Sequence, residues 1–475
     1  MAERTPKEVL SQVNRAPRCR RVLCPVTRRA LVLRSRLRAV CVRDLLLPAA
    51  VTLLVVGTAF VAQSPLRDAA THGEVQGMRL DIGRDLVLLG PVAALFDMHA
   101  LLTVPQHIAV ILTLLVGFVA WRCVAFARCT SWPVWRRECG GLLVVVLLAP
   151  VLAMLVNVLV PRPMARLEVD DPDVVVVDVH AHTASSHDAR PDWTPARVRE
   201  WHRASGFDVA YITDHKRFGG AFDAVATNPK RAGDGVVLLS GLELRSGGQH
   251  INVLSMTPAE STFIVAGDHV TRGLVLAGGR PPVIVQTIPF RIPMFAGDGQ
   301  DSLPRTNAIE INDGAPKGLT MGLTRHAELL HLADSLNLAL VAGSDNHGWG
   351  HTASGWTLVR LPGWRDLTPA ALAVRLETAL LRGRTATQVV ERRTPLLLSA
   401  PEVALTVPVM VLTTLRGLTL PERLSWVAWA WSVLLVRLGI RRAALVSLAR
   451  ARERRQQRRQ RLRIVPVGGA MGLQR

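Results

Sequence analysis

Four short apolar runs, each ending in residues able to bind a metal, constrain this chain more than any other feature. VVVVDVHAH closes on His180 and His182, VAYITDH on Asp214 and His215, VVLLSGLE on Glu243, and LALVAGSDNH on Asp345 and His347. Short all-apolar runs separated by helical patterns read as strands buried on both faces, in a parallel sheet or barrel. One intervening helix is well marked: TPARVREWHRASG sets Thr194 as N-cap, Pro195 at the first helical position and Gly206 after the last turn. A second, MGLTRHAELLHLADSLN, precedes the last of the four runs. In β/α barrels the reacting groups stand at the C-terminal ends of strands, so residues distant in sequence meet at one mouth.

His180 and His182 lie two apart on one strand and are expected to share a face. Imidazole nitrogens together with carboxylate oxygens suit Zn²⁺, Mn²⁺ or Fe²⁺. Glu243 has two oxygens with which to bridge two ions. Each cluster alone carries little, because HxH pairs and Asp-capped turns are common. Four in succession, each after a strand, point to a metal centre.

Composition divides the chain of 475 residues, which is long enough for two or three units. The mean hydropathy of +0.25 is high, and only 20% of residues are charged. Long apolar runs at 45–62, 86–104, 108–121, 141–160, 395–415 and 424–440 are expected to be membrane spans. Asp97 and His99 inside the second run, and Glu402 inside the fifth, are the exceptions. The expected organisation is a basic arm (1–44), three or four spans (45–165), a soluble zone (166–395), one or two spans (396–440) and a basic tail (441–475). Net charge is +20, and both termini are rich in Arg, which is expected to place them on the cytoplasmic side of a multi-pass membrane protein. Four spans before the soluble zone and two after it put that zone in the cytoplasm, the reading hydropathy favours, whereas three and one, which keep Arg122, Arg128, Arg136 and Arg137 inside, put it outside. The tail would rest on anionic headgroups of the bilayer, and without interleaved aromatics no nucleic-acid partner is expected. The six Cys all precede residue 140 without paired spacing, so neither a disulfide framework nor a zinc finger is expected.

The motifs DVHAHTASSHD, ITDH, GLE, AIEINDG and AGSDNHG resemble those of the PHP (polymerase and histidinol phosphatase) metallohydrolases. GQHINVLSM after Glu243 is similar to the CehA/McbA-like branch. The resemblance covers about residues 174–395 and none of the apolar zones. It implies an α/β fold, a distorted (β/α)7 barrel, here flanked by transmembrane α-helices, holding two or three divalent ions (Zn, Mn or Fe). Carried over by motif, His180, His182, Glu243 and Asp345 hold the first ion, with Glu243 bridging to the second. His215 and His347 serve a third ion, the substrate phosphate or the leaving group. His187 stands as a further ligand, with Asp188 its competitor. One departure is Ile288-Pro289, where the family places His-Pro; either Gln286 or His250 substitutes, or the second site is weak or empty.

The implied chemistry is hydrolysis of a small anionic substrate by a membrane-anchored phosphoesterase, with metal-bound hydroxide as nucleophile and Asp345, His347 and His215 in catalytic roles. Lys216, Arg217 and Arg291 either anchor that anion or belong to solvated loops. The alternatives are an ester, amide or carbamate hydrolase, or a degenerate metal-binding sensor coupled to the membrane. Asp97 and His99 leave open a transport path. His326 and His331, five apart on a helix, are expected at the surface.

Overall fold

Every residue from Val175 to Ala181 is buried, and so are all four of Val209–Ile212. Such strands need apolar cover on both faces, and the fold supplies it. The computed structural model describes residues 42–126, 132–246, 249–265, 269–270, 274–287, 306–314, 323–350, 352–393 and 396–463. The chain divides into two units, one combining the residues up to Leu53 with those from Val427 on, the other running from Leu54 to Trp426. In the first, Trp431 Nε1 donates to Thr52 Oγ1 at 3.1 Å and Arg441 pairs with Asp44 at 2.6 Å.

The second unit is built on strands β1 (Arg67–Asp68), β2 (Met78–Asp81), β3 (Arg166–Val169), β4 (Val174–Ala181), β5 (Val209–Ile212), β6 (Val237–Ser246), β7 (Gln249–Leu254), β8 (Ile264–Val265), β9 (His269–Val270), β10 (Val283–Gln286), β11 (Ala308–Asp313), β12 (Ala339–Gly343), β13 (Gly355–Arg360) and β14 (Thr387–Glu391). Ten of them form one sheet in the order β1-β14-β13-β4-β5-β6-β7-β10-β11-β12. β4, β5 and β6 are parallel, as are β10, β11 and β12, while β7 and β13 run against their neighbours. The sheet curls until the chain just past β12 meets β4. There Ala181 bridges to Asn346, and the Asp345 N–H donates to His180 O at 2.8 Å.

Inside the curl, Val175, Val177, Val179, Tyr211, Val237, Leu239, Val285, Ala308 and Val341 share one core. On the outer face Ala210, Ile212 and Leu238 pack on Val198, Ala221 and Ala224 of the helices Pro195–Ser205 and Gly219–Ala226. Full burial of a valine or leucine contributes roughly 1.5–3 kcal/mol, so continuous apolar runs are stable only where both faces are covered. The helix Pro195–Ser205 follows Thr194 and ends at Gly206, whose φ is +89°. A Cβ there would meet Leu167 O at 2.2 Å, so the close approach of β3 also demands glycine.

Several expectations are corrected here. Among the described residues no helix is long and apolar enough to cross a membrane, which overturns the expected spans, the transmembrane flanks and the multi-pass membrane location. The run 86–104 breaks at Leu89 into helices of five and 11 residues. At 1.5 Å per residue the longer reaches about half of the roughly 30 Å of hydrocarbon. The run 395–415 becomes a 3₁₀ turn and a helix of 11 residues, with Glu402 exposed in a capping box at Ser399. Asp97 is paired with Arg162 and Arg393. In place of a distorted (β/α)7 barrel with membrane flanks stands a mixed α/β half-barrel, in which β6 and β7 form a hairpin and lack an intervening helix. His326, expected at the surface, is buried, its Nε2 3.0 Å from Ala69 O and its ring stacked on His72, while His331 is exposed. Residues 1–41, most of the basic arm, lie outside the described residues, as do Ile288, Pro289 and Arg291.

Glu391, at the end of β14, is buried and accepts from Asn312 Nδ2 at 2.8 Å. Burial, reinforced by the Asp68 carboxylate, pushes it up to about 7 against the pull of Asn312. The folded chain therefore binds a proton that the unfolded chain has released between about pH 4.5 and pH 7, and stability falls as pH rises through that window. A carboxylate held ionised here costs on the order of 3 kcal/mol above pH 7. Glu391→Gln keeps the Asn312 bond and should raise the melting temperature at pH 8 while leaving it nearly unchanged at pH 4.5.

Candidate metal centre

Strict alternation along β4 would turn the histidines away from the barrel interior. Val175, Val177 and Val179 face the core, whereas Asp178 faces outward and accepts from His202 Nε2 at 2.8 Å. Continuing that phase would send His180 outward too. The register shows what intervenes: Asp178 pairs with Ala210 and Ala181 with Ile212, so β4 carries one residue more than β5 over the same stretch. This bulge resets the phase. Ala181 now packs outward beside Ile212, and His180 and His182 face the mouth.

The two imidazoles converge on the same pair of oxygens. His180 Nε2 lies 3.2 Å from Glu243 Oε2 and 3.1 Å from Asp345 Oδ1. His182 Nε2 lies 3.2 Å and 3.0 Å from the same two atoms. All four side chains are buried. Each offers one ligand atom, and these atoms lie within 4.8 Å of one another. Two nitrogens and two carboxylate oxygens at such a separation fit a divalent transition ion. Glu243 faces a second group through both of its oxygens: His215 Nδ1 lies 3.3 Å from Oε2, and His250 Nδ1 is bonded to Oε1. Because β7 runs back from the hairpin, His250 enters at the same end of the sheet as Glu243.

Asp188 occupies the third corner. One of its oxygens is 3.4 Å from His215 Nε2 and the other 3.2 Å from His347 Nε2. His347 in turn stacks on His182 with ring centroids 4.0 Å apart. His187 is exposed at the rim, its ring 5.1 Å from that of His215, and it forms a possible ligand group with Asp188 and His215. Gln286 and Thr287 hydrogen-bond to His250 O, so Gln286 supports the β7 strand and does not face the cluster. Lys216 and Arg217 are exposed beside it, and Lys216 adopts a φ of +56°.

The electrostatics of the bare side chains show what the cluster favours. Burial depresses His180 and His182, but the surrounding carboxylates outweigh it. His180 rises well above its ordinary value beside Asp345, Glu310 and Glu243, and His182 rises to about 9. Burial likewise opposes ionisation of Glu243 and Asp345, yet the histidines hold both well below the usual carboxylate range. His215 goes the other way, down to about 4, because burial and the neighbouring His182 and His250 outweigh Glu243 and Asp188. A site that concentrates positive charge against buried carboxylates is built for a cation.

Several further residues surround the cluster. Glu310, in the middle of β11, accepts from His180 Nδ1 at 3.0 Å and thereby leaves Nε2 to face the mouth. It sits in the AIEIND run as a carboxylate among apolar neighbours, which is the signal that could have singled it out. Asp178 joins β4 to the end of β12 by accepting from Ser344 N at 3.0 Å. Asp214, the aspartate of TDH, accepts from both Thr183 N and Oγ1 at 2.6 Å, with one oxygen 4.0 Å from His182 Nδ1. Asn252 lies opposite Glu243 in the hairpin, fully buried, with neither amide atom bonded to another group among the described residues. Gly343 lets β12 pass close to His180: a Cβ would stand 2.5 Å from Glu310 Oε1 and 2.6 Å from His180 Cβ.

No protein-family model matches the chain, and no curated protein does. Among solved structures, PsfC from Pseudomonas syringae is 21% identical over 51% of this chain and 98% of its own, with a TM-score of 0.31. An amidohydrolase from Chromobacterium violaceum, with bound sulfate and no metal, is 20% identical over 42% of this chain and 96% of its own, at a TM-score of 0.27. A protein from Bifidobacterium adolescentis assigned as a metal-dependent phosphoesterase is 18% identical over 44% and 96%, also at 0.27. Likenesses this distant leave the side-chain geometry as the ground for a functional reading.

Two outcomes follow from that geometry. Ligation needs a neutral imidazole, whereas His182 stays protonated in the metal-free chain up to about pH 9. Calorimetric titration of the metal-free protein with Zn²⁺ at pH 7.5, in buffers of different ionisation enthalpy, should show protons released, and affinity should rise with pH until about 9. Gly343→Ala should cost about 1–3 kcal/mol of stability, read from denaturant unfolding, and weaken metal binding, because Glu310 and His180 are the atoms that must move.

Proposed function

We propose that this chain is a divalent-metal-dependent hydrolase acting on phosphoesters. The observation that carries the reading is the convergence of His180 Nε2 and His182 Nε2 on one oxygen each of Glu243 and Asp345, with His215 and His250 gathered on Glu243 from the other side. Those residues would hold two ions, with Glu243 between them. A third would lie among His187, Asp188, His215 and His347. Divalent ions at this mouth would lower the pKa of a water and polarise a phosphoryl oxygen.

The chain's own residues have the remaining tasks. Glu310 fixes the ring of His180 from behind. Asp188, partly exposed and bonded to His347, is held ionised at the mouth, because the two histidines outweigh the burial that opposes it. With no third ion at this corner, it can take a proton from water or pass one to a departing alcohol through His347. Asp345 holds its ligand position through a left-handed backbone, φ +46°, so that its carboxylate points back into the cluster. Lys216, exposed beside His215, would meet the charge of an anionic substrate, a contact worth more in a site that excludes water.

Purified full-length protein should carry at least two equivalents of Zn, Mn or Fe by elemental analysis and hydrolyse a phosphate-ester substrate. Asp345→Asn should lower that rate by at least 100-fold. Turnover of carboxyl esters or carbamates alone would move the substrate class to acyl chemistry. Less than half an equivalent of metal, unchanged after soaking, would sink the hydrolase reading.

A further inference from the structure

Residues 344–350, which carry Asp345 and His347, and residues 352–354 are held in two halves by different parts of the molecule. The first half is tied to the barrel: Asp345 N to His180 O at 2.8 Å, His182 N to Asn346 O at 3.2 Å, and Arg190 N to His347 O at 2.9 Å. The second half is tied to the added helical layer. Gly350 N donates to Val158 O at 2.6 Å, at the end of the helix Trp132–Leu159. Arg162 NH2 donates to Gly350 O at 3.3 Å, and Thr352 Oγ1 donates to Asp97 Oδ1 at 3.3 Å. Asp97 stands on the helix Gly90–Ala100 and is bound to Arg162 at 2.8 Å and Arg393 at 3.3 Å. Arg393 and its neighbour Arg392 continue to Glu422, at 3.5 Å and 2.7 Å.

This is a buried ionic network whose members lie outside the metal cluster and play no part in the chemistry proposed above. All five side chains are about nine-tenths buried or more. Removing one partner of such a network leaves buried charges without compensation. Its reach is local in sequence: Thr352 and Gly350 are five and three residues from His347. From the other side, Trp349 Nε1 donates to Asp188 O at 3.0 Å. The segment that sets the His347–Asp188 contact is thus suspended between barrel and helices.

We propose that Asp97, acting through Thr352 and Arg162, is a positioning residue for the His347 corner of the metal centre, so that the helical layer serves to complete that centre. The inference rests on the metal reading of the cluster. Asp97 touches no ligand atom and has no catalytic role of its own. Its effect is to hold the outer half of the loop so that His347 stays against His182 and Asp188. The first ligand group, His180, His182, Glu243 and Asp345, is anchored within the barrel and does not depend on it.

The test uses full-length protein loaded with Co²⁺, whose visible spectrum reports coordination, together with chelator competition. Thr352→Val removes only the bond between the loop and Asp97, whereas Thr352→Ser keeps the hydroxyl. In Thr352→Val and Asp97→Asn, the weakest-bound equivalent of metal should lose at least tenfold in affinity and the spectrum should change, while the tightest equivalent stays as in the wild type. Thr352→Ser should restore both. Asp97→Asn should also lower the melting temperature, but Thr352→Val should not do so by more than a few degrees. Wild-type metal affinities and spectrum in Thr352→Val would overturn the proposal and leave Asp97 with a structural role. A wild-type protein that binds no metal would overturn the hydrolase reading itself, and this inference with it.

Discussion

Everything at the mouth of this barrel depends on how two buried carboxylates, Glu243 and Asp345, are balanced by two buried imidazoles. Ionised carboxylates taken out of water are costly unless a positive charge lies beside them. In the bare chain that charge comes from protons on His180 and His182, both raised by their neighbours. A divalent ion would supply it better, since it accepts both nitrogens and both oxygens at once. The surrounding structure supports the four groups. Glu310 fixes one ring, Ser186 Oγ lies 3.2 Å from Nδ1 of the other, and Asp178 joins β4 to Ser344, the residue after β12.

The placement of that support explains the shape of the sheet. The candidate ligands come from the C-terminal ends of β4, β5, β6 and β12 and from the start of β7. Parallel strands bring their ends to one side without further arrangement. β7 is antiparallel and contributes near its beginning, so the hairpin delivers Glu243 and His250 together. The curl then closes the ring by bringing the end of β12 against β4, which no linear order of strands requires.

Much of this was legible from residue types alone. The four apolar runs form strands, and the residues that end them face one another across the mouth. The marked helix begins after Thr194 and stops at Gly206. The apolar zones were misread because hydropathy counts residues and not how a run is broken: Leu89 splits one into short helices, and Asp97 draws buried arginines to it from residues 162 and 393. His326 was misplaced for a related reason. Its partners, Ala69 and His72, come from a segment more than 250 positions away.

Sequence by itself determined the strands, the order of the candidate ligands and the chemistry they suit, because these depend on side-chain type and local periodicity. Only the tertiary structure decided which way the ligands point. Read with a period of two, Asp178, His180 and His182 share a face, and Asp178 faces the covering helix. The extra residue between Asp178 and Ala181 turns the histidines inward, and a bulge is visible only as a mismatch with the neighbouring strand. The same holds for Asp188 and His187. They are adjacent in sequence, yet only the path of the loop leaves Asp188 between His215 and His347 and His187 at the rim.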